Sequence, residues 1–293
     1  MITLEKLKSS DGSIKILWES GKARFESGAY PLKEKQYSFC ISTQSGCKQG
    51  CKICALTTIN QDTISRNLNQ EELEKQMWGL AEYLHEQIEG ASFHSIGYVG
   101  MGEPLQNYDN LVEHIRSSSF LNKFKTLPIT ISTVGIPDRI KRLEKEKFSR
   151  GFPRLQLSVH KVIHRETLIP LEKKYPLSEC IWAASSYAIR SGLRVRANYL
   201  LLEGVNDSKK EITRLAEILD PRFFEIFLPS YAPPVANNKF RGVCDDKKQS
   251  LTALIHRVSA KKFGVPIEII QFPLLGLDIK AGCGQLTGSL NLR

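Results

Sequence analysis

The sequence predicts an α/β protein built on a parallel sheet with helical crossovers. Two observations favour this class. From about residue 38 onward, short apolar runs alternate with longer amphipathic stretches, and cysteine or polar motifs follow the apolar runs. Strands and helices in strict alternation form parallel sheets with helical connections. Six such units are present, and a sheet of this kind curls toward a partial barrel.

The candidate strands are short and apolar, as is typical of strands in a covered sheet. They lie at residues 36–42, 95–99, 129–133, 154–159, 193–202 and 223–228. The candidate helices carry apolar residues at helical spacing, as at Leu73, Met77 and Leu84. They lie at residues 70–85, 108–119, 137–147, 177–191, 208–219 and 247–262. In parallel sheets the functional residues collect in the loops after the strands.

Length and composition indicate one soluble domain with a large core. The chain has 293 residues, of which 41% are hydrophobic and 25% charged. We expect a catalytic domain at residues 37–293 after a short N-terminal extension at residues 1–36. The N-terminus lacks the apolar core of a signal peptide, and no apolar run is long enough to span a membrane. These features predict a cytoplasmic protein without a membrane partner.

The charge balance favours a polyanionic partner. Forty-one Lys and Arg residues against thirty-one Asp and Glu residues give a formal net charge of +10. Such a field attracts RNA or DNA, although a basic surface that only maintains solubility is an equal alternative on charge alone.

The cysteines point to metal chemistry. Four of the seven cysteines lie between Cys40 and Cys54, a distribution that does not fit a secreted disulfide framework. Cys47, Cys51 and Cys54 form a CxxxCxxC motif, and no fourth Cys or His follows at the spacing of a structural zinc site. Three thiolates suit a [4Fe-4S] cluster with one iron open to substrate. Zinc binding and buried thiols are the alternatives.

Six motifs in one order carry a closer resemblance. They are FCISTQSGCKQGCKIC (residues 39–54), GMGEPLQN (100–107), ISTVGIP (131–137), LSVHKVIHRETLIPLEKKYPL (157–177), LEGVND (202–207) and DIKAGCGQL (278–286). Together they resemble the RlmN/Cfr family of radical S-adenosylmethionine (SAM) enzymes, which methylate carbon 2 or carbon 8 of an adenine in RNA. The resemblance implies a partial (β/α)6 radical-SAM barrel with short N- and C-terminal extensions. It also implies that Cys47, Cys51 and Cys54 hold a [4Fe-4S] cluster and that SAM is the second cofactor.

The resemblance assigns three catalytic roles. Cys283 matches the cysteine that a first SAM methylates, and a second SAM cleaved at the cluster then activates this methyl group for addition to adenine. Cys40 matches the thiol that releases the product as a disulfide bond forms. Glu26, five residues before Pro31, matches the family's proposed general base.

The resemblance also assigns SAM contacts and partners. Gly102 and Glu103 match the loop that holds the SAM ammonium group. The other implied contacts are Ser132, Ser158, Val159, His160 and Tyr231. The implied partners are ribosomal or transfer RNA, with adenine carbon 2 favoured over carbon 8, and a flavodoxin- or ferredoxin-like electron donor. We expect a monomer.

The sequence departs from the family pattern at several places. Typical members begin with an accessory domain that engages RNA, whereas only 39 residues precede Cys40 here. Tyr231 stands where the family usually has Asn, and Cys180 and Cys244 match no motif and are expected to be inert thiols. Two alternatives therefore stay open: the same chemistry on a substrate other than RNA, and an RNA-binding paralogue without catalysis.

Overall fold

The computed structural model describes residues 1–58, 65–233 and 239–289. Within these residues, ten strands form one sheet in which each strand pairs with the next along the chain. In chain order the strands are β1 (Ile2–Lys8), β2 (Ile14–Ser20), β3 (Ala23–Lys33), β4 (Gln36–Cys40), β5 (Ser92–Tyr98), β6 (Ile129–Thr133), β7 (Arg154–Ser158), β8 (Val195–Asn198), β9 (Phe224–Pro229) and β10 (Ile269–Phe272).

Helices connect the later strands. In the described residues they are α1 (Ala55–Thr58), α2 (Gln70–Gln87), α3 (Tyr108–Ser117), α4 (Ser119–Lys123), α5 (Pro137–Glu144), α6 (Leu177–Ser191), α7 (Lys209–Ile218), α8 (Asp245–Phe263) and α9 (Gln285–Ser289). Short 3-10 turns lie at Pro104–Asn107, Arg165–Thr167, Pro170–Lys173 and Leu277–Ile279. None of the helices in the described part of the chain is long and apolar enough to cross a membrane.

The strands β4 to β10 are all parallel, and a helix lies between each consecutive pair. The predicted α/β class with a parallel sheet is confirmed. The bounds of β6 and α6 are those that the sequence predicts. β8 is shorter than predicted because backbone amides farther along the chain donate to side chains and not to a neighbouring strand. Leu200 N donates to His160 Nδ1, and Leu202 N donates to Asn206 Oδ1.

The first three strands were not predicted. β1, β2 and β3 form an antiparallel meander, and β3 pairs antiparallel with β4, so the meander continues the main sheet. Ile14, Ile16, Trp18 and Phe25 pack in the same apolar core as the parallel strands. The expected division at residue 36 therefore separates segments that share one sheet and one core, and it stays a prediction about folding units.

A seventh parallel strand also lies beyond the six predicted units. β10 pairs with β9 at the far side of the sheet, and the chain then returns as the 276–287 segment to contact the N-terminal strands. This return brings the two ends of the described sheet into contact through loops. In the described residues, β1 and β10 are not paired by backbone hydrogen bonds.

The N-terminal meander packs against α2 at a close helix–sheet contact. A Cβ atom added at Gly79 would lie 2.4 Å from Trp18 Cη2, so the indole of β2 occupies the space that a side chain would need. The Trp18 indole N–H is itself fixed by donating to Ser27 Oγ at 2.8 Å. Gly79 is therefore required by packing, against the usual preference of helices for alanine.

We predict that Gly79→Ala lowers the free energy of unfolding by about 1–3 kcal/mol, because overpacking against Trp18 outweighs the helix propensity of alanine. Urea denaturation of the iron-free protein measures the change. In a Trp18→Leu background the same substitution should be neutral or stabilising. An increase in stability for the single variant would contradict this account of the contact.

Candidate active site

A cavity of about 390 Å³ opens at the carboxyl ends of the parallel strands. Every strand from β4 to β9 contributes to its wall through the loop that follows it. The polar and cysteine residues of the wall include Cys47, Cys51, Cys54, Glu103, Ser132, Thr133, Ser158, His160, Asn198, Tyr231, Cys283 and Gln285. The convergence follows from parallel pairing, which places all of these loops at one edge. The volume is in the range of small-molecule sites.

The loop after β4 brings the predicted cluster cysteines together. Cys47, Cys51 and Cys54 all line the cavity and are partly buried. Cys54 N donates to Cys51 O at 3.1 Å, which closes a tight turn, and Gly50 has a φ of +69° that favours glycine. Burial raises the pKa of the Cys47 thiol to about 12, with the Cys54 and Glu103 charges adding to the effect.

The three cysteine thiols on one loop are a donor set that fits a [4Fe-4S] cluster. Within the described residues, no three Cys, His, Asp or Glu side chains converge on one metal ion. In a cubane each thiolate binds a different iron, so three thiols spaced around one cavity are the expected arrangement.

The loop after β5 packs directly on the chain that leads to the cluster motif. A Cβ atom at Gly102, whose φ is +100°, would lie 2.6 Å from Gln44 Cβ. The neighbouring Glu103 N donates to Gln44 Oε1 at 2.8 Å. Both the positive φ and the close approach of Gln44 therefore require glycine at position 102. This packing holds the neighbouring Glu103 at the cavity wall.

Glu103 is a buried carboxyl group in the cavity wall. Its Oε1 accepts from Leu105 N at 3.0 Å and its Oε2 accepts from Val134 N at 2.9 Å. Burial raises the pKa of Glu103 to about 7 in spite of these donors. A cation bound in the cavity would therefore favour the ionised form of this carboxyl group.

His160 is a neutral donor at the end of β7. Its backbone has a φ of +53°, and its Nδ1 accepts from Leu200 N at 3.2 Å. Burial, with the Arg165 charge, lowers the pKa of His160 to about 3. The neutral imidazole therefore carries its proton on Nε2, which leaves an N–H donor for a ligand in the cavity.

The remaining predicted SAM contacts divide into two groups. Ser132, Ser158 and Tyr231 line the cavity, and burial raises the pKa of Tyr231 to about 12, so its hydroxyl stays protonated. Val159 is fully buried and is not part of the cavity wall, and its carbonyl accepts from Arg165 Nε at 3.1 Å. The structure thus places Val159 behind the wall.

Two residues of the site were missed by sequence reasoning. Arg165 is almost fully buried and donates to the carbonyls of Val134, Ser158 and Val159, which ties the ends of β6 and β7 together. Asn198, at the end of β8, lines the cavity, and its buried Oδ1 has no hydrogen-bond partner among the described residues. The rule that polar residues follow strands would have found Asn198, whereas burial of Arg165 has no local signal.

Cys40 and Cys283 lie within electrostatic range of one another. Cys283 lines the cavity and is reached by solvent, while Cys40 ends β4, is partly buried and is not part of the wall. The protein packed around Cys283 raises its pKa well above the ordinary value, and the charges of Cys54, Cys40 and Glu26 add to the shift. Burial likewise raises the pKa of Cys40 to about 12. All seven cysteines are free, so the disulfide bond that the sequence led us to expect is absent from the structure.

Glu26 lies beside the site but not in the cavity wall. Its carboxylate pairs with Lys15 Nζ at 2.7 Å, and both side chains are buried. It also accepts hydrogen bonds from Gly284 N and Thr287 N. In this structure, Glu26 holds the segment that carries Cys283, and the expected general base faces no open space.

Comparison with known proteins agrees with this geometry. Residues 41–216 match the Radical SAM superfamily. The chain is 35% identical over 288 residues to a probable dual-specificity RNA methyltransferase RlmN from Thermotoga neapolitana, a match that covers 97% of this chain and 78% of that protein. It is 35% identical over 264 residues to the protein of the same name from Moorella thermoacetica, covering 88% and 70% of the two chains.

Solved structures give the same result. A radical SAM methyltransferase from Sphaerobacter thermophilus superposes with a TM-score of 0.82 at 28% identity, over 97% of this chain and 80% of that one. SuiB from Streptococcus suis, solved with SAM bound, shares the fold with a TM-score of 0.54 at 15% identity, over 80% and 51% of the chains. Radical-SAM proteins use a [4Fe-4S] cluster and SAM, which are the cofactors that the sequence predicts. The chain therefore belongs to the radical SAM superfamily and, within it, to the RlmN family.

Proposed function

We propose that this protein methylates a ring carbon of adenine in RNA through a methylated Cys283. The observation that carries the proposal is that Cys283 shares one cavity with the three cluster cysteines. Related proteins are named as RNA methyltransferases. A net charge of +10 supports binding of an anionic RNA substrate.

The cavity residues fit both cofactors. Cys47, Cys51 and Cys54 would hold the cluster, which supplies the electron that cleaves SAM. Glu103 and Gly102 would receive the SAM ammonium group, because a buried carboxylate and a carbonyl oxygen are its natural acceptors. The Nε2 proton of His160 and the hydroxyl groups of Ser132, Ser158 and Tyr231 would bind polar groups of SAM, a role that their position in the cavity lining supports.

Cys283 would act first as a methyl acceptor. Its thiolate attacks the methyl carbon of SAM, the sulfonium–methyl bond breaks, S-adenosylhomocysteine leaves, and the thiol proton passes to solvent. A hydrogen atom of the new methyl group would then pass to the 5′-deoxyadenosyl radical that reductive cleavage of a second SAM supplies, which leaves a carbon radical on Cys283. A radical can add to an electron-poor adenine carbon that is not nucleophilic enough for direct methyl transfer.

Cys40 would release the product. The radical adduct would lose its ring proton and pass its unpaired electron back to the oxidised cluster. Cys40 would then attack the sulfur of Cys283, the sulfur–carbon bond would break, the Cys40 proton would pass to the released carbon, and a transient Cys40–Cys283 disulfide would form. Glu26 is the proposed base for the ring proton. Because Gly284, Thr287 and Lys15 occupy its oxygens, this role requires the Cys283 segment to move away.

The finer assignments belong to the same proposal. Adenine carbon 2 in ribosomal or transfer RNA is the favoured target, a flavodoxin- or ferredoxin-like protein is the proposed electron donor, and the enzyme acts in the cytoplasm as a monomer.

We predict that SAM binding releases protons near pH 7, because the pKa of Glu103 is about 7 and an ammonium group in the cavity would lower it. Affinity should therefore rise as the pH rises through 7. Titration calorimetry of the iron-loaded protein in two buffers with different ionisation enthalpies measures the proton release. Glu103→Gln should abolish that release and weaken binding about 10- to 100-fold, as expected for loss of a charged hydrogen bond. Glu86→Gln, at an exposed position, is the control. Equal proton release by wild type and Glu103→Gln would rule out this role.

We predict that Cys40→Ala forms methyl-Cys283, attacks RNA and stays covalently attached to it, because no thiol remains to release the adduct. The trapped complex should appear as a protein–RNA band on a denaturing gel. Cys283→Ala should give no band, and Cys244→Ala, at an exposed thiol outside the cavity, should turn over normally. Normal turnover by Cys40→Ala, or methylation by Cys283→Ala, would show that the methylcysteine mechanism is wrong here.

A further inference from the structure

The chain on both sides of Cys283 is held by a buried ion pair from the N-terminal strands. Lys15 on β2 and Glu26 on β3 lie 2.7 Å apart, with side chains that are 2% and 3% exposed. Neither residue lines the SAM cavity. Burying such an ion pair costs free energy unless further hydrogen bonds satisfy both groups. The hydrogen-bond partners of each group therefore indicate its structural role.

Lys15 binds the chain just before Cys283. Its ammonium group donates to Lys280 O at 3.1 Å and to Gly282 O at 2.8 Å, in addition to its pairing with Glu26. An ammonium group has three donors, and these three acceptors match them. The Lys15 side chain is therefore committed to the segment that carries Cys283.

Glu26 binds the chain just after Cys283. One carboxylate oxygen accepts from Gly284 N, and the other accepts from Thr287 N at 3.0 Å and from Thr287 Oγ1 at 3.1 Å. The two charged side chains thus bind the backbone at Gly282 and Gly284, on either side of the Cys283 thiol. Tyr30 on β3 adds a third anchor, since its hydroxyl donates to Ala281 O at 2.6 Å.

The segment is also confined from the opposite side. Gly284 has a φ of +75°, and a Cβ atom there would lie 2.7 Å from Leu56 Cδ2, on the helix that follows Cys54. The backbone beside Cys283 therefore lies between the N-terminal strands and the cluster loop. Gly284 therefore serves close packing in this structure.

We propose that Lys15 is a positioning residue for Cys283. Lys15, Glu26 and Tyr30, here called the clasp, fix the backbone on both sides of the thiol so that its sulfur faces the SAM cavity. The inference rests on the proposed role of Cys283 as methyl acceptor. Its physical basis is that methyl transfer needs the nucleophile aligned with the breaking bond, and small displacements of a nucleophile slow such reactions strongly.

The experiment compares Lys15→Met, Tyr30→Phe and a control, Lys247→Met, in the full-length, iron-loaded protein. The control removes an ion pair to the buried Asp207 and leaves the clasp intact. Two quantities are measured: hydrogen–deuterium exchange of peptides that cover residues 280–287, and the rate at which Cys283 is methylated by SAM without RNA, read by peptide mass spectrometry. Iron content and SAM affinity serve as checks of the cavity.

We expect Lys15→Met to exchange residues 280–287 at least about tenfold faster and to methylate Cys283 on the order of 100-fold more slowly, with iron content and SAM affinity retained. Tyr30→Phe should change both rates in the same directions by about three- to tenfold, as for loss of one hydrogen bond. Lys247→Met should change neither. If Lys15→Met does not fold, Tyr30→Phe decides the question alone.

Wild-type exchange and methylation rates in both clasp variants would overturn the inference while leaving the proposed function standing. A methylation defect without faster exchange would also overturn it, because the clasp would not be what holds the segment. If wild-type protein never methylates Cys283, the proposed function fails and the positioning role fails with it, whatever the exchange rates show.

Discussion

Parallel pairing in chain order, from β4 to β10, is the constraint on which the site depends. It places the loop after every strand at one edge, so cysteines from the first loop and polar residues from the next five meet around one cavity. The N-terminal meander adds a second requirement. By continuing the sheet beyond β4, it sets Lys15 and Glu26 against the returning C-terminal segment and so brings Cys283 to the cavity.

Burial shifts the pKa values of two titratable groups in the cavity wall. Glu103 has its pKa raised toward neutrality and His160 has its pKa lowered, each because burial disfavours the charged form. Both groups are therefore uncharged over a wider pH range than in water, and in the proposed function the ammonium group of SAM would favour the ionised form of Glu103. Arg165 provides the fixed framework, since its guanidinium group ties the ends of β6 and β7.

Much of this arrangement could be predicted from the sequence because its signals are local. The cysteine motif and the six parallel strands follow from spacing or periodicity within a short window, and the family resemblance supplies the role of the loop at Gly102 and Glu103. β1 was missed because its residues are mostly exposed and mix charged with apolar side chains, so no buried face shows in the pattern. β10 was missed because only four residues form the strand.

The clasp could not be predicted because its partners are distant in sequence and largely backbone atoms. Nothing near Lys15 indicates that it donates to carbonyls of Lys280 and Gly282, and family resemblance alone assigns Glu26 a catalytic role without its structural one. Long-range backbone contacts of this kind depend on how the sheet curls, which is a property of the whole chain.

The most direct test of the account is nucleoside mass spectrometry of RNA after incubation with reconstituted protein, SAM and a reductant. The account predicts a new adenosine methylated on a ring carbon, whereas adenosine that stays unmodified by a protein with a full cluster and methylated Cys283 would contradict it.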